Sequence, residues 1–177
     1  MRGTSLAVIR VRRRPGRRSL GLLIAGAWIM PVALGRGGIK SNKREGDGGT
    51  PAGRFRPIRL WWRSDRLARP ASHLPVRRIG RQDAWCEDPR DRRYNRHFLR
   101  SANAPGDRLY RADGLYDLIV EIDHNTRPRI AGLGSAVFIH LARAGYAPTA
   151  GCIAMRRSDL LRLLTRLGRK TRILIHF

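Results

Sequence analysis

Residues 132–140 read GLGSAVFIH, and after a short loop residues 148–152 read PTAGC. Beyond its two turn-forming glycines, the first segment is β-branched and aromatic, so it predicts a buried strand that ends at His140. The loop contains a glycine and a proline, which favour chain reversal, so Cys152 can return to the end of that strand. The pattern predicts a β-rich chain in which a histidine and a cysteine meet.

This pair has the composition of a thiol nucleophile and its base. A cysteine attacks as the thiolate, and a nearby imidazole accepts its proton. Gly151 has no side chain, so a substrate carbonyl can approach the backbone, where amides can stabilise an oxyanion. Taken singly, a cysteine is more often a small buried hydrophobe and a histidine a structural residue. The combination of His140, the turn and Cys152 favours acyl transfer.

The same residues resemble the signature of a known family. His140, a variable loop and residues 149–153 (TAGCI) resemble the signature of the L,D-transpeptidase catalytic-domain family, and residues 43–55 (KREGDGGTPAGRF) resemble its upstream element. Residues 85–89 (WCEDP), 94–96 (YNR) and 115–117 (LYD) resemble elements of one bacterial subgroup. The resemblance covers residues 6–177.

The resemblance implies a mainly β fold with one or two helices, a β-sandwich with a catalytic groove. The chain is expected to form one catalytic domain over residues 1–177, in which residues 1–5 are expected to be disordered. Residues 63–111 are expected to form a long irregular insertion over the groove. The pattern itself predicts strands at 6–11, 20–28, 55–62, 116–122, 135–140 and 171–177, and a helix from 158 to 167.

The implied activity is that of a peptidoglycan L,D-transpeptidase. Cys152 would attack a stem tetrapeptide, form a thioester and transfer the acyl group to an amine, which makes a cross-link; no metal or cofactor is expected. The expected catalytic residues are Cys152, His140 and Gly151, and the expected substrate contacts are Thr149, Tyr94, Asn95 and Arg156. For two of these contacts an alternative stays open, in which Tyr94 packs and Asn95 caps a turn.

Other functions remain compatible with the sequence. Water as acceptor would make the chain an L,D-carboxypeptidase or endopeptidase, and a non-catalytic module that binds an anionic polymer is a further alternative. Many members of the family carry arginine or asparagine two positions after the cysteine, where this chain has Ala154. Because Cys152 and His140 are retained, this departure affects donor recognition more than the chemistry.

The chain is strongly basic, with 37 Lys and Arg against 13 Asp and Glu and a net charge of +24. Such a charge favours anionic partners, but the arginines are scattered and no nucleic-acid-binding motif is present. The expected partners are therefore peptidoglycan stem peptides and anionic cell-envelope polymers, without nucleic acid, and the expected state is a monomer. Of the two cysteines, Cys152 is expected to be free and Cys86 to be a packing residue.

The expected substrate places the protein in the periplasm or cell envelope. A basic cluster at 12–18 precedes the mostly apolar run 20–34, which could be read as a signal peptide. Glycines and Pro31 interrupt this run, so it is a poor helix and too short to span a membrane. Two antiparallel strands are the favoured interpretation of residues 6–28.

Overall fold

Ten strands join into one curled mixed sheet in a computed structural model that describes residues 5–101 and 104–177. In these residues the strands are β1 (Val8–Arg13), β2 (Leu20–Ala25), β3 (Trp28–Ala33), β4 (Ile39–Lys40), β5 (Thr50–Pro51), β6 (Gly53–Phe55), β7 (Pro57–Trp62), β8 (Val76–Arg78), β9 (Asp83–Trp85), β10 (His97–Leu99), β11 (Asp107–Arg108), β12 (Leu118–Ile122), β13 (Phe138–Leu141), β14 (Ile153–Met155) and β15 (Arg172–His176). The α-helix is α1 (Arg157–Leu164), and a 3-10 turn covers Ala144–Tyr146.

The large sheet has the order β6-β15-β1-β2-β3-β14-β13-β12-β7-β8. Its parallel pairs are β1 with β15, β13 with β14, and β7 with β8. A small sheet of order β10-β9-β11 and the pair β4-β5 complete the strands. The prediction of a mainly β sandwich-like fold with one helix is confirmed.

The two-residue repeat of the strands separates two cores. In β13, Ile139 and Leu141 belong to the main core, which also receives the leucines of α1. Phe138 points to the other face and belongs to a second cluster, because successive side chains of a strand alternate between faces. The second cluster contains Trp85, whose ring meets Phe138 edge to face at 5.0 Å between centroids. The small sheet therefore covers the face on which His140 also lies.

Most predicted elements occur with shifted ends. Residues 6–28 form the antiparallel pair β1–β2 and the first residue of β3. The predicted strand 55–62 is divided at Arg56, and a bulge lies where Pro57 begins β7, as expected for a residue without an amide proton. The helix ends at Leu164, three residues before its predicted end, and the apolar run 20–34 is extended rather than helical.

Two segments are predicted to be irregular, residues 1–5 and residues 63–111. Within the predicted disordered segment 1–5, only Ser5 belongs to the described residues, and it is exposed. Residues 63–111 contain β8 to β11, so this region has more regular structure than its sequence indicates. No helix in residues 5–101 and 104–177 has the length and apolar character needed to cross a membrane.

Candidate active site

The register of two parallel strands brings His140 and Cys152 to the same face. His140 pairs with Ala154 across β13 and β14. Cys152 lies two residues before Ala154, and residues two apart in an extended chain point to the same side. Both side chains line one cavity of about 300 Å³, called the His140 cavity, whose charged wall residues are Arg36, Arg111 and Arg143.

The imidazole of His140 is fixed in one tautomer. Its Nδ1 lies 2.9 Å from the carbonyl oxygen of Leu141. Because a carbonyl only accepts hydrogen bonds, Nδ1 carries the proton and Nε2 keeps the lone pair that a base needs. The ring of Tyr116 packs edge-on against it, with centroids 5.2 Å apart. Burial lowers the pKa of His140 to about 4, so the ring is neutral at neutral pH.

The thiol of Cys152 is held in its protonated form. Its Sγ donates to the carbonyl oxygen of Ala136 at 3.1 Å and accepts from the amide of Phe138 at 3.4 Å. Burial is the main cause that raises the pKa of Cys152 to about 12. With a neutral His140, the resting pair is thiol and imidazole rather than thiolate and imidazolium.

The Cys152 turn is closed by a threonine. Thr149 Oγ1 accepts from the Gly151 amide at 3.1 Å and donates to the Cys152 carbonyl at 2.7 Å. The Gly151 amide is therefore occupied in this structure, which differs from its expected role as an oxyanion donor. The Cys152 amide makes no hydrogen bond within the described part of the chain, so it is the donor left at the turn.

Two glycine-rich segments leave no room for side chains around this turn. Gly151 has φ 146°, and a Cβ there would lie 2.9 Å from the Gly49 carbonyl oxygen. A Cβ at Gly35 would lie 2.1 Å from the Gly48 carbonyl oxygen. The Arg36 amide donates to the Thr149 carbonyl at 2.9 Å. The upstream motif thus packs directly against the turn that carries Cys152.

A second cavity of about 400 Å³ shares Cys152, Tyr116 and Ala150 with the His140 cavity and is called the Glu87 cavity. Its charged wall residues are Arg36, Lys43, Glu45, Glu87, Asp107 and Arg111. Lys43, Glu45 and Glu87 lie in the segments 43–55 and 85–89, which resemble family elements, but nothing in the sequence assigns these side chains a role in the site. Arg36, Asp107 and Arg111 have no such signal in the sequence.

Tyr94 and Asn95 lie behind the wall instead of lining either cavity. The Tyr94 hydroxyl donates to Glu45 and accepts from the Gly134 amide at 3.0 Å. Asn95 Oδ1 accepts from the Ala136 amide at 3.2 Å. In this structure both residues support the backbone beside Cys152, as in the packing alternative.

Of the two other predicted substrate contacts, one lines a cavity and the other does not. Thr149 lines the His140 cavity. Arg156 is exposed, precedes α1 without a side-chain capping bond and lines neither cavity. Cys86 is buried beside Ala84 and Phe98, and both cysteines are free. Among the residues that the structure describes, no cluster of three or more His, Cys, Asp or Glu side chains is placed to hold a metal ion.

Asn95 is linked to the Cys152 thiol by hydrogen bonds through the backbone of Ala136. Ala136 adopts φ 51°, a left-handed conformation that residues with a Cβ seldom adopt. Its amide is anchored by Asn95 at 3.2 Å, and its carbonyl accepts from the Cys152 thiol at 3.1 Å. The strained backbone thus supplies the acceptor for the thiol proton.

A comparison with protein-family models agrees with the resemblance. The family model described as the L,D-transpeptidase catalytic domain, YkuD, matches residues 21–175. A solved structure of Bdellovibrio bacteriovorus Bd1075 is similar to 98% of this chain and 48% of that chain, at 17% identity and a TM-score of 0.45. The chain thus spans about half the length of that structure. No curated protein sequence matches the chain.

Proposed function

Because the chain belongs to the L,D-transpeptidase catalytic-domain family, we propose that it is a cysteine acyltransferase acting on peptidoglycan stem tetrapeptides. The family acts on peptidoglycan. The observation that carries the proposal is the placement of His140 and Cys152 on one face, in the wall of one cavity. Its biological process would be peptidoglycan biosynthesis, with effects on cell-wall organisation and cell shape.

Acylation begins with movement of the thiol proton. The Cys152 proton leaves the Ala136 carbonyl and passes to His140 Nε2 as sulfur attacks the carbonyl carbon of the donor peptide. The Cys152 amide donates to the oxyanion that forms. His140 then returns the proton to the departing amine of the terminal D-residue. The C–N bond breaks, and a thioester remains on Cys152.

Deacylation decides the product. An amine that attacks the thioester forms a new C–N bond while the C–S bond breaks, which gives a cross-link and returns the thiol. Water in place of the amine would release a shortened stem, the L,D-carboxypeptidase or endopeptidase outcome. We propose transfer as the main outcome because the Glu87 cavity offers room for a second substrate beside the thiol.

The expected result is that an amine acceptor diverts the thioester from hydrolysis. A purified stem tetrapeptide would be incubated with the protein, with and without an excess of a free D-amino acid, and the products separated by liquid chromatography and mass spectrometry. We expect the amide product to exceed the hydrolysed stem when acceptor is present. Hydrolysed stem alone at every acceptor concentration would overturn the transferase assignment and leave a hydrolase.

We expect the protein to work in the cell envelope, since its family acts on peptidoglycan, and we place it on the periplasmic side. Anionic cell-envelope polymers remain proposed partners. A cleft of about 740 Å³, distinct from both cavities at Cys152, is lined by five cations: Arg54, Arg56, Arg127, Arg169 and Lys170. None of these side chains forms an ion pair within the described residues.

Removing two charges from this cleft should weaken binding of a phosphodiester polymer more than removing two elsewhere. We expect Arg54→Gln with Arg127→Gln to lower the affinity for polyphosphate about tenfold at about 100 mM salt, from the loss of concentrated positive charge. The matched control is Arg13→Gln with Arg17→Gln on the exposed first hairpin. Fluorescence titration would measure both. Equal losses would mean that only net charge matters.

A further inference from the structure

Most charged side chains of the Glu87 cavity have partners inside the protein. Lys43 Nζ lies 2.9 Å from Asp47 Oδ1. Glu45 accepts from Ser135 Oγ at 2.8 Å. Asp107 accepts from the Tyr116 hydroxyl at 2.8 Å.

Arg111, the next of these wall residues, pairs with Asp113 at 2.6 Å. Within the described residues, Glu87 and Arg36 are the wall charges whose side chains make no hydrogen bond or ion pair. Glu87 is therefore the carboxylate of this cavity that is free to meet a ligand.

The position of Glu87 is electrostatically unfavourable in the free protein. Glu87 lines the cavity but is exposed, and partial desolvation together with the negative charges of Asp107 and Glu45 raises its pKa to about 7. Such repulsion is relieved when a cation binds. The charge of Glu87 also acts on Cys152, whose pKa it raises, so the two groups lie within electrostatic reach of each other.

The backbone holds Glu87 in place. The preceding residue, Cys86, is buried, donates its amide to the Arg96 carbonyl at 2.9 Å and accepts from the Asn95 amide at 2.8 Å. Asn95 in turn is bonded to Ala136 at the thiol. The backbone that carries Glu87 therefore keeps a fixed relation to Cys152, and the unpaired side chain can turn toward a bound substrate.

We propose that Glu87 binds the ammonium group of the acyl acceptor beside Cys152 and takes its proton before the amine attacks the thioester. This inference rests on the proposed function and deepens it, because it names the residue that selects an amine over water. An ammonium has no lone pair, so an amine acceptor has to lose a proton before it reacts.

Attack on the thioester transfers two protons from the acceptor nitrogen. One proton passes from the ammonium to the Glu87 carboxylate, and the amine nitrogen attacks the thioester carbon. The C–N bond forms and the C–S bond breaks. The second nitrogen proton passes through His140 to the departing sulfur, which restores the thiol. Glu87 releases its proton to solvent when the amide product leaves.

The test measures the ratio of amide product to hydrolysed stem, with a stem tetrapeptide as donor and D-methionine as acceptor, because its amide product differs in mass from the donor. We expect Glu87→Gln to lower this ratio at least tenfold, whereas Glu87→Asp, which keeps the charge, stays within about threefold of the wild type. The matched control is Asp88→Asn, which removes the neighbouring charge outside the Glu87 cavity and should leave the ratio unchanged. Intact mass spectrometry follows the thioester in each variant.

The outcomes separate this inference from the proposed function. A thioester on Glu87→Gln with an unchanged product ratio would overturn the role of Glu87 and leave the acyltransferase standing. An equal fall in Asp88→Asn would also overturn it, since general charge would then explain the effect. Absence of any thioester in the wild type would overturn the proposed function, and this inference with it.

Discussion

Incubation with a carbapenem is expected to add one covalent adduct to the wild-type chain and none to Cys152→Ala. The strained β-lactam carbonyl is an acyl donor, and Cys152 is the thiol that shares a cavity with a base. The sulfur would open the lactam ring and retain the whole molecule as a thioester. Intact-protein mass spectrometry reads the result directly, and loss of the adduct in Cys152→Ala should be complete because, among the described residues, Cys152 is the thiol that lines that cavity with His140.

Two further variants make this experiment specific. Cys86→Ala should keep the adduct, since Cys86 lies in a separate apolar cluster with Ala84 and Phe98. His140→Asn should slow adduct formation by about 10²- to 10⁴-fold, the usual range for loss of a general base. Circular dichroism of each variant would show that the fold is retained. An adduct that persists in Cys152→Ala, or vanishes in Cys86→Ala, would contradict the assignment of the nucleophile.

Alkylation of Cys152 by iodoacetamide is expected to be very slow at neutral pH. Burial raises the pKa of this thiol to about 12 from an ordinary value of 9.0. At pH 7.5 the thiolate fraction is then about 10³-fold lower than in the unfolded chain, while the higher basicity recovers about 15- to 30-fold in reactivity. The folded protein should therefore react about 30- to 60-fold more slowly than the same chain in urea.

The pH dependence of the alkylation rate shows whether Cys152 rests as a thiol or as a thiolate. Below the pKa the thiolate fraction rises tenfold per pH unit, so the alkylation rate should climb steadily from pH 7 to pH 10 without a plateau. The measurement uses the Cys86→Ala background, so that one thiol reports. A rate that is already high and constant near pH 6 to 7 would mean a thiolate–imidazolium pair, against the neutral pair described for His140 and Cys152.

Local sequence composition explains why part of the site is predictable. A continuous run of β-branched and aromatic residues predicts the buried strand around Phe138, and His140 lies near its end. The glycine before Cys152 marks a turn in the sequence and adopts φ 146° in the structure. These features are local, so a single sequence contains them.

The rest of the site depends on long-range packing. Glu87 and Asp107 both line the Glu87 cavity although 20 positions, which include β10, separate them in the sequence. Whether Tyr94 and Asn95 contact substrate or support the wall depends on Ala136 and Gly134, which lie about 40 residues later. No periodic pattern encodes such contacts, and the occupied Gly151 amide likewise becomes apparent only with the Thr149 rotamer.

The convergence of the glycine-rich segments on the Cys152 turn has a consequence for folding. The bridge between Gly35 and Thr149 closes a very large loop, and contacts of such high sequence separation form late, because the entropy of loop closure must be overcome first. A partly folded chain would therefore lack the glycine-rich wall that packs against the Cys152 turn. The cavities at Cys152, to which Arg36 contributes from far away in the sequence, should arise only when the topology is complete.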